Sequence, residues 1–485
     1  MTATLEAQVT TPVSAAAPAR GRWLGLFAIL TAMLMNLLDS SIVNVALPVI
    51  QKDIGGSYAS LQWIVASYTL VMAAGLLIGG RLGDMFGRRR MLLVGAAGFV
   101  LASVACAMAF SPETMIAARV AQGVFAAVMI PQGFGLIRDL FPGPDQAKAW
   151  GVVGPVIGLA SILGPIVAGL FIKADLFGTG WRMVFLINLP LGLVTVLGGL
   201  KALPNGKGDR TGGLDVVGGI LAAAGMALLV YPLVQGREQG WPAWIFALLG
   251  ASVVVLGVFV IQQLRRAGQG KTPLVRLSVF ARRSYTSGVV FVVAFFIAII
   301  GFTLALGFML QLGLGYSPIG ASVAMSSLAI GAFLGSAGGA MAPGLGRKIL
   351  HLGLTIMIAG MAGVYLVFRS VGVDLGGWHL AAPLLVFGIG MGMIFVPLFG
   401  IIMGEVADDE VGSASASLES IQQLAAALGV AVLGTVFFDH FTAAGGDAPH
   451  NALGGAEQVT LIAAGLAVAA VAIGFFLPKK AREMH

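Results

Sequence analysis

Fourteen apolar stretches of about 20 residues, bounded by charge, glycine or proline, follow one another along the chain. A stretch of that length is what an α-helix needs to cross a hydrocarbon core about 30 Å thick. They lie near 23–49, 58–80, 91–110, 115–140, 147–172, 183–203, 214–236, 242–264, 285–312, 317–342, 350–371, 378–403, 411–438 and 458–478. The fold class is therefore an all-α polytopic membrane protein. With 58% hydrophobic and 10% charged residues and a mean hydropathy of +0.96, an ordinary soluble enzyme is excluded. The 70 glycines suit close helix packing in lipid.

The charges test that count, because a missed span would exchange the sides of every later loop. With the N-terminus inside, 22 of the 28 Lys and Arg fall on the cytoplasmic side. Both termini are thus expected in the cytoplasm of a cell with an inner membrane. The same asymmetry explains a net charge of +7 without a nucleic-acid partner. Trp23, Trp150, Trp181, Trp241, Trp244 and Trp378 fall at span ends, where an aromatic belt places them, and Trp63 falls inside a span.

A degraded repeat divides the chain: GGRLGDMFGRRRML at 79–92 recurs as GGAMAPGLGRKIL at 338–350, pairing Gly87 and Arg88 with Gly346 and Arg347. The expected organisation is six helices, two, and six. Residues 1–22 form a disordered cytoplasmic tail and 23–203 a first bundle. Two inserted spans and a basic loop occupy 204–284, a second bundle 285–478, and a short tail 479–485. The polar stretch 439–457 reads as an outer loop.

Asp39 lies in LDSSIVNVALP, more than about 20 Å into the first span. A charged side chain at the centre of a membrane helix costs about 2.5 to 3.5 kcal/mol, so an acid there marks a proton, ion or substrate path, or else is paired for packing. Of the 21 acids, Asp39 and Glu419 alone fall well inside spans. Asp215 starts a helix, where the dipole favours it. Glu405, Asp408, Asp409 and Glu410 read as a solvated cytoplasmic cluster.

Taken together, these motifs resemble the Major Facilitator Superfamily, and within it the fourteen-helix drug:proton antiporters of the EmrB/QacA type. LDSSIVNVALP matches LDxTxVNVALP at all but one fixed position. Gly80, Leu82, Asp84, Gly87, Arg88 and Arg89 meet GxLxDxxGRR. Arg119, Gln122, Gly123, Ala126 and Ala127 meet RxxQGxxAA. Gly164, Pro165 and Gly169 meet the antiporter signature of the fifth span, with Ala168 where glycine is usual. Trp181, Arg182, Phe185, Asn188 and Pro190 meet WRxxFxxNxP.

The resemblance implies proton-coupled export of lipophilic, cationic or antibiotic-like compounds by alternating access. The alternatives are a dedicated exporter of one endogenous metabolite and, from another class, a membrane enzyme or sensor. Asp39, Arg119 and Glu419 become the proton-coupling candidates. Arg119 could instead snorkel to the outer interface, since it stands only about four residues into its span. Asp84 can hold an ion pair or meet a helix N-terminus, and with Gly80, Gly87, Arg88 and Arg89 latch the cytoplasmic side. Trp63, Tyr68, Gln122, Glu419 and Met33 are candidates for the substrate wall, which Met35 and Met129 would extend, although core packing accounts for each singly. Glu419 and Gln422 stand where the family more often has Asn and Arg.

Other chemistry fails on spacing. GQGKT at 268–272 lacks the first glycine of a phosphate loop, where Arg265 stands. Five scattered histidines and the single Cys106 offer no metal cluster or disulfide. No cofactor is expected. The expected partners are protons, a small drug-like molecule and the bilayer, with the protein acting as a monomer.

Overall fold

The computed structural model describes residues 19–141, 145–175, 178–206, 208, 213–341, 345–407, 410–443 and 447–478. The two expected tails lie almost wholly outside them, as do Asp408 and Asp409. The described residues form helices joined by turns, with no strand among them. Lipid offers no hydrogen-bond partners, so each crossing segment satisfies its backbone within itself.

The helices are α1 Ala19–Ile54, α2 Tyr58–Phe86, α3 Arg88–Ala107, α4 Pro112–Leu140, α5 Asp145–Ala174, α6 Met183–Leu186, α7 Asn188–Ala202, α8 Val216–Gln235, α9 Ala243–Gly268, α10 Arg283–Phe308, α11 Pro318–Ala340, α12 Arg347–Val371, α13 Ala381–Ile402, α14 Val411–Phe441 and α15 Ala448–Gly474. Thirteen segments are long and apolar enough to cross a membrane, with α6 and α7 joined in one of them, Gly180–Ala202. The 30-residue α5 has a shorter apolar stretch, Leu163–Ala174, at the place of the remaining expected span. Serines start several spans by accepting from the first turn: Ser57 from the Ser60 amide, Ser111 from that of Thr114 and Ser317 from that of Gly320.

Two expectations are corrected here. The loop expected over 439–457 is largely helix, since α14 runs to Phe441 and α15 begins at Ala448. Asp447 caps α15 by accepting from the His450 amide at 3.0 Å, and Glu457 is held 3.8 Å from Arg369 of α12, so polar residues sit on a helix end and not in a coil. Nor is the acidic cluster wholly solvated: Glu405 is exposed, as expected, but Glu410 is not. Glu405 accepts from the Ser284 amide at 3.1 Å, and Glu410 is buried and accepts from the Ser278 hydroxyl, which docks the basic loop before α10. Asp215 behaves as expected and more: it caps α8 through the Gly218 amide at 3.0 Å, and also takes Gln262 and Gln263 of α9 at 2.9 and 2.7 Å.

Helices α1 to α7 pack as one set and α10 to α15 as another, and the sets meet along α2–α14 and α5–α11. Glycine permits the close approaches. A Cβ on Gly95 of α3 would stand 2.9 Å from the Met129 Cα of α4, and one on Gly169 of α5 would stand 2.7 Å from the Ile319 Cα of α11.

The named contacts between the sets run from the face opposite the chain termini to about mid-depth. Tyr58 stacks on Phe438 at 4.7 Å and meets Phe441 edge-on. Gln62 donates to the Val430 carbonyl at 3.0 Å, and Ser420 to that of Ala73 at 2.6 Å. The inserted pair sits across this seam, because α8 packs against both α2 and α14. In the turn after α8, Glu238 accepts from the Ala59 amide of α2 at 3.1 Å, while the adjacent Arg237 bonds the Thr442 hydroxyl at the end of α14 and lies 3.9 Å from Asp439.

Candidate functional site: a buried carboxylate–guanidinium node

Asp39 lies at mid-span on α1 and is fully buried, as is Arg119 on α4. The Arg119 guanidinium donates to Asp39 Oδ2 at 2.5 Å and to Gln122 Oε1 at 2.6 Å, and its Nε donates to the Ile64 carbonyl of α2 at 3.1 Å. Its Cζ lies 4.1 Å from the centre of the Tyr68 ring. The snorkelling alternative is thereby overturned: although few residues into its helix, Arg119 points inward because Asp39 supplies the acceptor that a guanidinium in lipid requires.

The other carboxylate oxygen is as fully occupied. Gln122 Nε2 donates to Asp39 Oδ1 at 2.7 Å, and Asn188 Nδ2 of α7 donates to the same atom at 3.0 Å. Both amides also donate to Ser103 Oγ of α3, at 2.9 and 3.1 Å. The Ser103 hydroxyl in turn donates to the Phe99 carbonyl at 2.8 Å. Tyr68 donates to Asn36 Oδ1, one turn before Asp39. Five helices of the first set, α1, α2, α3, α4 and α7, thus converge on one ion pair. N–H donors from the guanidinium and two amides fill both carboxylate oxygens, and any change in the charge of Asp39 reaches each of those helices.

The sequence marks Asp39, Arg119 and Gln122 as candidates without pairing them, and gives Ser103, Asn36 and Asn188 no part in the node. Asn188 was visible as the Asn of WRxxFxxNxP. Ser103 and Asn36 carried no signal, because a hydroxyl or amide in a span is ordinary until its partner is known.

The remaining candidates fall in four places. In the first, Gly87 takes φ +92 between α2 and α3, a conformation that favours glycine, and Arg88 reaches Asp84 at 3.4 Å and Asp139 of α4 at 3.1 Å. Arg89 donates to the Leu200 carbonyl at 2.6 Å and to Asn205, and a Cβ on Gly80 would make ordinary contact with Pro131 of α4 at 3.9 Å. These ties lie within the first set, and Asp84 has no partner in the second among the described residues. The repeat keeps the backbone and changes the partners: Gly346 has φ +49, and Arg347 donates to the Phe475 and Leu477 carbonyls after α15.

In the second, Gly164 lies against Ser41 of α1, two residues from Asp39, where a Cβ would be 3.0 Å from the serine Cβ. Gly169, one turn beyond the half-buried Pro165, meets α11. One helix therefore touches both the node's neighbourhood and the second set. The side chains at 153–162 lie outside the described ones.

In the third, Trp181 is buried and does not sit in a belt: its indole donates to Asp53 at 2.9 Å, beside Arg182 at 2.8 Å, closing the far end of α1. Trp63 packs on Tyr231 of α8 at 5.8 Å, whereas Met33, Met35 and Met129 are buried in the packing of the first set with Tyr68.

Glu419 is the fourth place. It is half-buried on α14, and no described side chain forms a hydrogen bond or ion pair with it. The Gln422 Oε1, one turn on, is buried without a partner.

The Major Facilitator Superfamily profile matches residues 29–430. Over 428 residues the chain is 46% identical to a "Probable actinorhodin transporter" of Streptomyces coelicolor, covering 87% of this chain and 73% of that one. It is 36% identical to the "Puromycin resistance protein pur8" of Streptomyces alboniger, covering 88% and 84%. Among solved structures, the inward open xylose transporter XylE from E. coli superposes with a TM-score of 0.63 at 15% identity, covering 95% and 97%. Its fold is thus shared beyond recognisable sequence similarity. The chain is a multi-pass membrane transporter of the Major Facilitator Superfamily.

Proposed function

We propose that this protein is a proton-coupled antiporter that exports lipophilic, cationic or antibiotic-like compounds from a bacterial cell by alternating access. The observation that carries this reading is the node: a carboxylate buried at mid-span, bound at once by Arg119, Gln122 and Asn188. Protonating Asp39 removes the charge that holds Arg119, so proton uptake and helix position are linked through one group. Residues 23–203 and 285–478 are read as the two bodies that rock, with 204–284 between them. Contacts along α2–α14 close the face opposite the termini, and Asp84 is unlatched from the second body. Given the distribution of Lys and Arg, this is an inward-facing arrangement of a monomer in the inner membrane with both termini cytoplasmic.

The first test is dye uptake into inverted vesicles driven by an imposed pH gradient. Wild type is expected to accumulate dye only with the gradient, and Asp39→Asn to lose gradient-driven uptake. Uptake that is indifferent to the gradient, or unaltered in Asp39→Asn, rules out the coupling. A second reading, export of one endogenous antibiotic, is favoured by the similarity to the protein named as an actinorhodin transporter. Rejection of every member of a broad panel except one compound class would select it.

A further inference from the structure

The two carboxylates in the membrane are in opposite states. Asp39 has its acceptor positions filled by Arg119, Gln122 and Asn188, so nothing else can bind it without breaking that set. Glu419 has no partner among the described residues. At 100° per residue, Glu419 lies on the strip of α14 between two contact strips. Ser420, Ala431 and Gly434 meet α2 of the first set, while Gly429 and Leu433 meet α10 of the second. Gln423 shares that middle strip and is half-buried with it. Glu419 therefore faces the space between the two sets, and the unpartnered Gln422 Oε1 belongs to its i+3 neighbour, one turn on and turned toward the α10 strip.

A carboxylate and an amide oxygen are both acceptors. In a site removed from water, a lone carboxylate selects a cation, and an unsatisfied carbonyl oxygen selects an N–H or O–H donor. A permanently charged group without hydrogens meets only the first demand. We infer that Glu419 and Gln422 form the specificity site for a lipophilic substrate carrying a cationic nitrogen group with at least one N–H, its charge set against Glu419 and its N–H given to Gln422 Oε1. This inference rests on the export reading above and adds the chemical class. Because the node is closed by its own side chains, substrate recognition and the Asp39 ion pair are separate.

The test uses the full chain in proteoliposomes with three probes under one pH gradient: rhodamine 6G, a cation with N–H groups; tetraphenylphosphonium, a cation with none; and Nile red, which is neutral. Glu419→Gln is expected to weaken binding and transport of both cations about tenfold, and of Nile red far less. Gln422→Leu is expected to weaken rhodamine 6G severalfold and spare tetraphenylphosphonium. Glu419→Asp should restore much of the preference for cations, and a wild-type unfolding midpoint in detergent is the control for folding. Equal losses for all three probes, or no loss of cations in Glu419→Gln, overturn the inference while leaving export intact. Gradient-independent movement of every probe by wild type overturns the export reading and this inference with it.

Discussion

Arg119 and Asp39 form a direct ion pair, 2.5 Å apart, between two helices that each place a fully buried charge in the interior of the first helix set. The pair is neutral overall, and three further donors or acceptors surround it, so it is stable only as a complete unit.

Breaking the pair from either side should therefore be costly. Arg119→Leu leaves Asp39 buried without its cation, and Asp39→Asn leaves Arg119 without its anion and turns an amide N–H toward donors that the carboxylate accepted from. Each is expected to destabilise the protein by about 3 to 5 kcal/mol, and Asp39→Asn also to abolish coupling. The double variant removes both charges and should cost less than the two single losses added together. Thermal unfolding in detergent, followed by size-exclusion, measures all three, and additive losses would show that the pair is not a unit.

Asn188→Leu removes one donor to Asp39 and one to Ser103 at once. The expected loss is about 1 to 3 kcal/mol of stability, together with weakened gradient-driven transport, because Asp39 Oδ1 retains only Gln122. Comparison with Ser103→Ala, which leaves both Asp39 bonds in place, isolates the effect on the carboxylate. If Ser103→Ala impairs coupling as strongly, positioning of Asp39 by Asn188 is not the cause.

Gly169→Val adds bulk where a single Cβ already stands 2.7 Å from the Ile319 backbone. The rigid neighbour cannot yield as a flexible side chain would, so α5 and α11 are expected to separate at the face opposite the termini. Proton leak through reconstituted protein should rise, and Gly164→Val should perturb the α1 side instead. A tight, wild-type seal in Gly169→Val would mean that this contact does not close the pathway.

The α8–α9 turn ties both sets at the same face, through Glu238 to α2 and through Arg237 to the end of α14. When that face opens, α2 and α14 must part, so one of the two ties must break. Substituting both residues with alanine is expected to raise the open population, seen as a longer spin-label distance between 58 and 438. Each tie is at most partly buried and modest, on the order of 1 kcal/mol, so a severalfold shift is the expected size. An unchanged distance distribution would assign the turn no part in the equilibrium.

Gly87→Ala places a side chain at φ +92 against the Gly206 carbonyl. About 1 to 2 kcal/mol of strain is expected, enough to shift the Arg88 contacts with Asp84 and Asp139. Gly206→Ala, with open space around it, is the matched control, and cysteine accessibility at 84 reports the change.

The chain by itself determined that the fold is all-helical with many membrane crossings, and which acids fall within them, because hydropathy over about 20 residues is a local property. It also marked Asp39 by its depth, and Arg119, Gln122 and Gly164 through the motifs that resemble the family. Only the tertiary structure decided which polar groups meet. Whether Arg119 reached the interface or Asp39 depended on an acceptor 80 positions earlier. Ser103 and Asn188 became part of the node because α3 and α7 bring them to one point. Glu410 looked solvated until its donor Ser278, more than 100 positions earlier, was in place. Glu419 stood out as an acid in both views, but its lack of a partner is a property of the space around it. That space is made by α2, α10 and α14 together and by none of them alone.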